Sequence, residues 1–407
     1  MNLVYVKIGI LNVFRNKRRS FLTALVIGVG LMSLILAHGF ILGMENYMIH
    51  TITEDFLGHA QIHNQEFRNT NKTKFVIEDF KDLENKLNTD KNLKVASFRT
   101  ISPALIASPE GSNQIALFGI NPESEKISSR LSTHIIGGEY LDLDKKSIII
   151  GTRLAKKLNV EVGSKVVVTL SSLKGENLSQ ELFRVKGIFS FSSREFDNQM
   201  AFINLNMMQT MLGCENCIHE ISLKFDNLKD LNLHFLEYKK NYSKNSTVFE
   251  NWRELVPNLD SALKLNDISM AFMIILLGVL VGAAIVNTLF MALFERKYEF
   301  GVLLAIGTRR STLFAIVMYE SITLAIGSIV IGSILTAIFG GYLATKGIDY
   351  GGISFSGVSL REPIYFVFTL KPFLLFSGGL IIFTMIISVY PVLKLLQVYP
   401  SKALKIM

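Results

Sequence analysis

Cys214 and Cys217, in the stretch GCENCIH, are the only cysteines of this 407-residue chain, and His219 follows two positions later. Three chemistries use such a group. In an oxidising compartment the pair closes a small loop as a local disulfide. With His219 it could begin a zinc site, which needs four ligands. Ahead of a helix N-terminus it would suit thiol–disulfide exchange. The sequence offers neither a second ligand pair nor a strand-to-helix setting, so a disulfide is the leading expectation, free thiols are the remaining alternative, and no metal is expected. No G-x-x-x-x-G-K-[ST] loop, G-x-S-x-G elbow or H-E-x-x-H helix occurs. The chain therefore reads as non-catalytic, with no cofactor of its own.

Charge is densest where it is least expected. FERKYEFGVLLAIGTRR, Phe294 to Arg310, lies between two of the most apolar runs in the chain. Glu295 and Glu299 sit four apart and repel, while Tyr298, Val302 and Ala305 fall on one helical face. An isolated helix gains little from that design, whereas one docked in a groove of another protein gains from both its apolar face and its charges. A solvated connecting loop is the alternative. Glu320, after Tyr319, is an acidic residue at the start of an apolar run, where it serves either at the membrane interface or as a charged contact inside a bundle. His38, alone in another such run, suits packing or an interhelical hydrogen bond better than ligation.

The elements that must position these residues follow from composition. Hydrophobic residues make up 49% of the chain and charged ones 19%, and the mean hydropathy is +0.36, which is too apolar for two soluble domains. Ser20 to Met44, Ile268 to Phe294, Ser321 to Thr345 and Pro372 to Leu393 contain no Asp, Glu, Lys or Arg. Each is long enough to span a bilayer, which needs about 20 helical residues. The expected fold is an α-helical membrane protein with four transmembrane helices, at 20–44, 268–294, 311–345 and 372–393, and an inserted α+β extracytoplasmic domain with helical stalks at 45–267. A signal peptide cleaved at Ala37-His38-Gly39 is the alternative for the first run, but the apolar stretch continues past that site and the basic leader is long.

Basic residues are retained on the cytoplasmic side. Lys7, Arg15, Lys17, Arg18 and Arg19 precede the first span; Arg296, Lys297, Arg309 and Arg310 lie between the second and third; Lys394, Lys402 and Lys405 follow the fourth. All three clusters fall on one side. Both termini and 295–310 are thus expected in the cytoplasm, and the large domain and the loop 346–371 outside. The net charge of +8 is then topology and attraction to anionic membrane lipid, and no nucleic-acid partner is expected, since no basic groove with stacking aromatics is visible.

Residues 1–19 place Leu3, Val6, Ile10, Val13 and Phe14 on one helical face, as in an amphipathic elbow helix lying at the interface; an unstructured basic anchor is the alternative. Tyr47, Ile49, Ile52 and Phe56 continue helical spacing beyond the first span, and Leu255, Leu259, Ala262, Leu263 and Ile268 do so ahead of the second. Gly39-x-x-x-Gly43 and Gly278-x-x-x-Gly282 mark faces for close packing. In the inserted domain 79–88, 152–158 and 206–212 read as helices, and SIIIG, SKVVVTL, FRVKGIF and QMAFINL as strands.

The stretch at 295–307 resembles the E-R-[RK]-x-E-[IF]-[GA]-[VI]-L-[RK]-[AT]-[IL]-G signature of the FtsX-like, MacB-type family of ABC transporter permeases. Glu295, Arg296, Lys297, Glu299, Gly301, Val302, Leu303, Ala305, Ile306 and Gly307 match; Leu304 replaces the usual basic residue. The elbow, the four spans and the tail YPVLKLLQVYPSKALK are similar too. GTRLAKKLNVEVGSKVVVTL and SSREFDNQMAFI resemble the outer domain of the lipoprotein-releasing LolC/LolE branch, with Arg194 ahead of Glu195, Phe196 and Asp197.

The resemblance implies a bacterial inner-membrane permease whose 295–310 segment is a coupling helix docking on a cytoplasmic ABC ATPase dimer, which would bind ATP and Mg. Its implied partners are a second permease, either a sister or another copy, a lipoprotein substrate and a periplasmic carrier. Phe40, Met44, Tyr47, Met48, Leu265 and Met270, chosen by depth and helical face, are the candidate cavity residues. A MacB-like exporter of a peptide, toxin or drug, and an FtsX-like regulator of an extracytoplasmic hydrolase, are the alternatives within the same family.

Overall fold

The computed structural model describes residues 3–396 apart from 79, 143–145, 174–176, 192–193, 245 and 356–357. Lys402 and Lys405, the end of the family-like tail, and the serine pair at 192–193 lie outside the described residues. The chain forms two compact units, one of Met1–Glu45, Lys264–Ile348 and Pro363–Met407, the other of Asn46–Leu263 and Asp349–Glu362.

The first unit is helical, built from α1 (Leu3–Arg15), α2 (Lys17–Ile52) as far as Glu45, α3 (Pro257–Glu295) from Lys264, α4 (Lys297–Ala305), α5 (Arg310–Lys346) and α6 (Leu370–Leu396). The apolar runs of α2, α3, α5 and α6 are each long enough to cross a membrane, and both α2 and α3 continue as helix beyond those runs. Ile27 of α2, Ile285 and Leu289 of α3, Leu313 and Val317 of α5 and Val392 of α6 form a common core. Within it the Thr23 and Thr288 hydroxyls bond each other at 2.8 Å, which keeps two polar groups paired where water is absent.

Small residues set the closest approaches. A Cβ on Gly28 would lie 2.9 Å from the Ser328 carbonyl oxygen, and one on Gly332 2.8 Å from that of Gly28, so α2 and α5 cross backbone to backbone. Gly39 and Gly43 serve a different neighbour. A side chain at either would collide with the extended segment before α6, at the Phe366 ring and the Tyr365 carbonyl, and the Val367 amide donates to the Gly39 carbonyl at 3.1 Å. Gly278 and Gly282 face Phe383 of α6 more loosely. His38 packs edge-on to Phe376.

Among the described residues the main sheet of the second unit has ten strands: β1 (Ala60–Asn64), β2 (Leu93–Ser108), β3 (Gly111–Ile120), β4 (Ile135–Gly138), β5 (Ser147–Gly151), β6 (Lys165–Ser171), β7 (Leu178–Phe189), β8 (Met200–Asn204), β9 (Glu220–Phe225) and β10 (Thr247–Asn251). They run in the order β10-β1-β9-β2-β3-β8-β5-β7-β4, and β6 joins β2 to β7. The pairings β2–β3–β8–β5–β7–β6–β2 thus close a ring, with β3–β8 and β5–β7 parallel. The 16 residues of β2 make this possible: its first half pairs with β9 and its second half with β6. The central β5, SIIIG, is buried on both faces, as its unbroken apolar run requires. Ile148 and Ile150 enter one core and Ile149 the other.

Arg99 is fully buried, and every arm of its guanidinium is used. Nε and Nη2 donate to the two oxygens of Glu125 at 3.0 and 2.7 Å, Nη1 to Glu220 at 2.7 Å and Nη2 also to the Phe56 carbonyl at 2.6 Å. The group stacks 3.9 Å over the Phe56 ring, which is itself packed among Phe118, Phe191, Phe196 and Phe202. Burial alone would lower the Arg99 pKa, but the two carboxylates outweigh it and hold it raised. Asp197 of the SSREFD motif accepts from the Phe191 amide at 2.6 Å and the Ser190 hydroxyl at 3.0 Å, and Arg361 reaches it at 3.7 Å and Ser190 at 3.0 Å. Burial pushes its carboxyl above the usual range.

Cys214 and Cys217 are joined by a disulfide. His219 is committed elsewhere: Nε2 lies 2.8 Å from the Thr73 carbonyl, and Nδ1 3.2 Å from the Ile101 amide, from which it accepts. Those bonds fix the neutral Nε2–H tautomer and leave neither nitrogen for zinc. Among the described residues no group of three His, Cys, Asp or Glu is placed to hold a metal.

Two consequences can be measured in the full-length protein through the fluorescence of Trp252, its single tryptophan, buried in this unit. Burial lowers the His219 pKa to about 4, below its unfolded value, so between those values the unfolded chain holds more protons and stability rises with pH. His219 should destabilise the unit by about 2 kcal/mol at pH 5 relative to pH 7. His219→Gln should flatten that slope, and an unchanged pH profile would refute the assignment. Arg99→Ala, which strands two carboxylates, should cost roughly 3–5 kcal/mol; a loss below about 1 kcal/mol would mean the cluster is not structural.

Candidate functional site

The charged stretch between the second and third spans is a helix hinged at both ends. α3 runs to Glu295, Arg296 leaves helical geometry at φ −104° and ψ 12°, and α4 begins at once. At its other end Gly307 takes φ +95°, a conformation that favours glycine, and the Gly307 and Thr308 amides close the last turn on the Leu304 and Leu303 carbonyls. Arg310 then opens α5.

The charges of α4 and its hinge face the molecule's own helices. Glu299 takes the fork of Arg15 of α1, at 2.8 and 3.3 Å, which holds its carboxyl below the usual range and raises Arg15. Glu295 accepts from Arg19 at 2.8 Å and from the Asn16 amide at 3.2 Å. Arg296 spans two carboxylates, donating through Nε to Glu299 and through Nη1 to Glu320 of α5, each at 3.1 Å. Glu320 therefore lies inside the bundle with a cation against it. Glu295 and Glu299, which repel in an isolated helix, are each neutralised by an arginine of the N-terminal region.

The apolar residues of α4 divide by face. Phe300 and Gly301 are buried, and Leu303 and Leu304 pack against the core of the spans. Leu304 stands where the family signature carries a basic residue, and its inward position suits a leucine. Tyr298, Val302, Ala305 and Ile306 are exposed, Ile306 by 73%. Lys297 is half-buried, and Gly307, Arg309 and Arg310 are exposed. The outer face of α4 is thus an apolar strip bordered by basic residues.

The six candidate cavity residues divide between the two units. Phe40, Met44, Leu265 and Met270 belong to the membrane unit, Tyr47 and Met48 to the other; Met48 is fully buried and Leu265 largely exposed. None of the six lines the apolar groove of about 680 Å³ between α2, α3 and α6, whose walls include Gly30, Leu34, Gly278, Gly282, Gly379 and Phe383. Glycines on three helices leave this space open. The partners of the α4 charges were likewise beyond sequence reasoning, because Arg15 and Arg19 lie 276 to 284 residues away from them. Only the charge of Glu320 in an apolar run was a signal.

The chain matches the family model for the MacB-like periplasmic core domain over residues 20–230 and that for the FtsX-like permease C-terminal region over residues 269–400. It is 25% identical over 390 residues to the lipoprotein-releasing system transmembrane protein LolC of Buchnera aphidicola subsp. Schizaphis graminum, covering 94% of this chain and 92% of that one. It is 22% identical over 396 residues to LolC of Haemophilus influenzae, with the same coverage. Among solved structures it is similar to the periplasmic region of MacB from Actinobacillus actinomycetemcomitans, at 15% identity and a TM-score of 0.35, over 49% of this chain and 92% of that one.

Proposed function

This chain belongs to the family of permeases with a MacB-like periplasmic core domain and an FtsX-like C-terminal region, and on that premise we propose that it is the membrane subunit of an ATP-driven complex that releases lipoproteins from a bilayer. The observation that carries the reading is likeness to lipoprotein-releasing transmembrane proteins along 94% of the chain, through spans and outer domain alike. Exporters and hydrolase regulators share the family, but that near-complete correspondence favours lipoprotein release.

The physical task suits such a division of labour. Withdrawing an acyl chain from a bilayer costs about 0.8 kcal/mol per methylene, so a cargo with several chains does not leave by thermal motion. This chain has no P-loop; ATP and Mg belong to a separate cytoplasmic ATPase dimer. The apolar strip Tyr298, Val302, Ala305 and Ile306 is the surface that ATPase would take, with the basic residues around it meeting acidic ones. A second permease, sister or copy, completes the transmembrane pair, and a periplasmic carrier receives the cargo. The basic ends of the spans then lie in the cytoplasm of a bacterial inner membrane and the sheet-rich domain in the periplasm.

A photoreactive residue at Leu34 or Gly379, in the apolar groove, tests the reading in cells. Adducts to triacylated lipoprotein that change when ATP hydrolysis is blocked are expected, and adducts to phospholipid alone would contradict it. Ile306→Asp should reduce recovery of the ATPase with the permease by about tenfold, the effect of a buried charge in an interface; undiminished recovery would remove α4 as the docking surface.

A further inference from the structure

Glu320 is the only acidic residue of α5, and its surroundings are built around it. A Cβ on Gly9 would lie 2.8 Å from the Tyr319 Cβ and 3.1 Å from the Glu320 amide nitrogen. The glycine therefore allows α1 to lie directly on α5 at this point. Asn12 and Arg15 follow on the same face of α1 at helical spacing. The Glu320 and Arg296 side chains are only 9% and 13% exposed. From Glu320 the contacts run to Arg296, from Arg296 to Glu299 and from Glu299 to Arg15, linking α5, the hinge, α4 and α1.

A buried ion pair is a poor way simply to hold helices together, since an apolar pair of the same shape does so without desolvating two charges. Its particular property is orientation: Arg296 has a planar fork and must satisfy two carboxylates at fixed angles. Phe300, Leu303 and Leu304 pack α4 onto the core of the spans, but apolar packing is non-directional and the joints of α4 are loose. It is joined to α3 by one non-helical residue and to α5 through Gly307, so a push on its outer face could be absorbed by rotation at the two joints.

We propose that Glu320 is a positioning residue that, through Arg296 and Glu299, locks α4, the elbow helix α1 and the third span α5 into one lever, so that force applied to the exposed face of α4 reaches the third span and the elbow. The lock is a property of this chain alone; the force it transmits rests on the docking proposed above. Glu320 touches neither nucleotide nor cargo in this arrangement. Its removal uncouples the machine without removing a binding surface.

The lock is tested by hydrogen–deuterium exchange of the full chain in phosphatidylethanolamine–phosphatidylglycerol nanodiscs. Glu320→Gln should speed exchange in 297–305 by about tenfold, with the middle of α5 unchanged. Glu320→Leu should do the same, although a merely space-filling role would tolerate it, and Glu320→Asp, which keeps the carboxylate, should stay within about threefold of the parent. Exchange of 297–305 in Glu320→Gln within about twofold of the parent would overturn the lock, as would general loosening of α5.

The transmission is tested on the complex with its co-purified ATPase. Glu320→Gln should retain the ATPase and its hydrolysis within about twofold, while release of triacylated lipoprotein from proteoliposomes falls at least about tenfold, with Glu320→Asp restoring it. A parallel fall of hydrolysis and release would overturn the positioning role. If the parent chain recovers no ATPase while the exchange result holds, the docking reading and the transmission fail and the lock stands.

Discussion

A carboxylate among apolar helices must have a cation against it, because neither lipid nor a neighbouring leucine can replace its hydration. Glu320 meets that requirement through Arg296, and the rest of the basic end of the membrane unit follows from the pairing. Arg296 must sit at a break between helices to reach inward. It shares Glu299 with Arg15, which draws the elbow helix onto the same cluster. With Arg296 turned inward and Glu295 and Glu299 engaged by arginines of the N-terminal region, the exposed side chains Tyr298, Val302, Ala305 and Ile306 form an apolar strip. The exposed apolar strip is thus a by-product of how the charges are satisfied within the chain.

The sheet-rich unit repeats the principle with a different residue. Arg99 has no access to water and is matched by two carboxylates, a carbonyl and an aromatic face. The carbonyl and ring belong to Phe56, in the π-helical turn Thr53–Leu57 that ends the helix leading out of the first apolar run. Glu125 and Glu220 come from a short helix and from β9. One guanidinium therefore ties the end of a long helix to two distant parts of the sheet. Hydrophobic burial supplies the bulk of the stability here, while the charged cluster supplies a fixed geometry.

The four spans and the α+β character of the inserted unit were legible in the sequence because both are local signals. A charge-free run of 20 or more residues and an alternation such as KVVVTL need no partner to be recognised. Strand order was not legible, since the closing of the ring depends on β6 meeting both β2 and β7. The groove between α2, α3 and α6 was not legible for a related reason. Spans that are apolar all round carry no periodic mark of which face packs inward, so nothing local marks the glycine-lined groove. Gly39-x-x-x-Gly43 correctly signalled a close approach, yet the approaching element is the extended segment at Tyr365–Val367 rather than a helix. Glu295, Arg296 and Glu299 could be singled out by their pattern, but not the direction in which they point.

The proposed function links these features: an ATPase outside the chain, a locked helix that receives its motion, and an apolar groove where acyl chains can leave the bilayer. The most direct test is ATP-dependent transfer of a triacylated lipoprotein from proteoliposomes, containing this chain with its co-purified ATPase, to a soluble carrier. Transfer that requires ATP and this chain together is the expected result. Sustained ATP hydrolysis with the lipoprotein retained in the liposomes would contradict it.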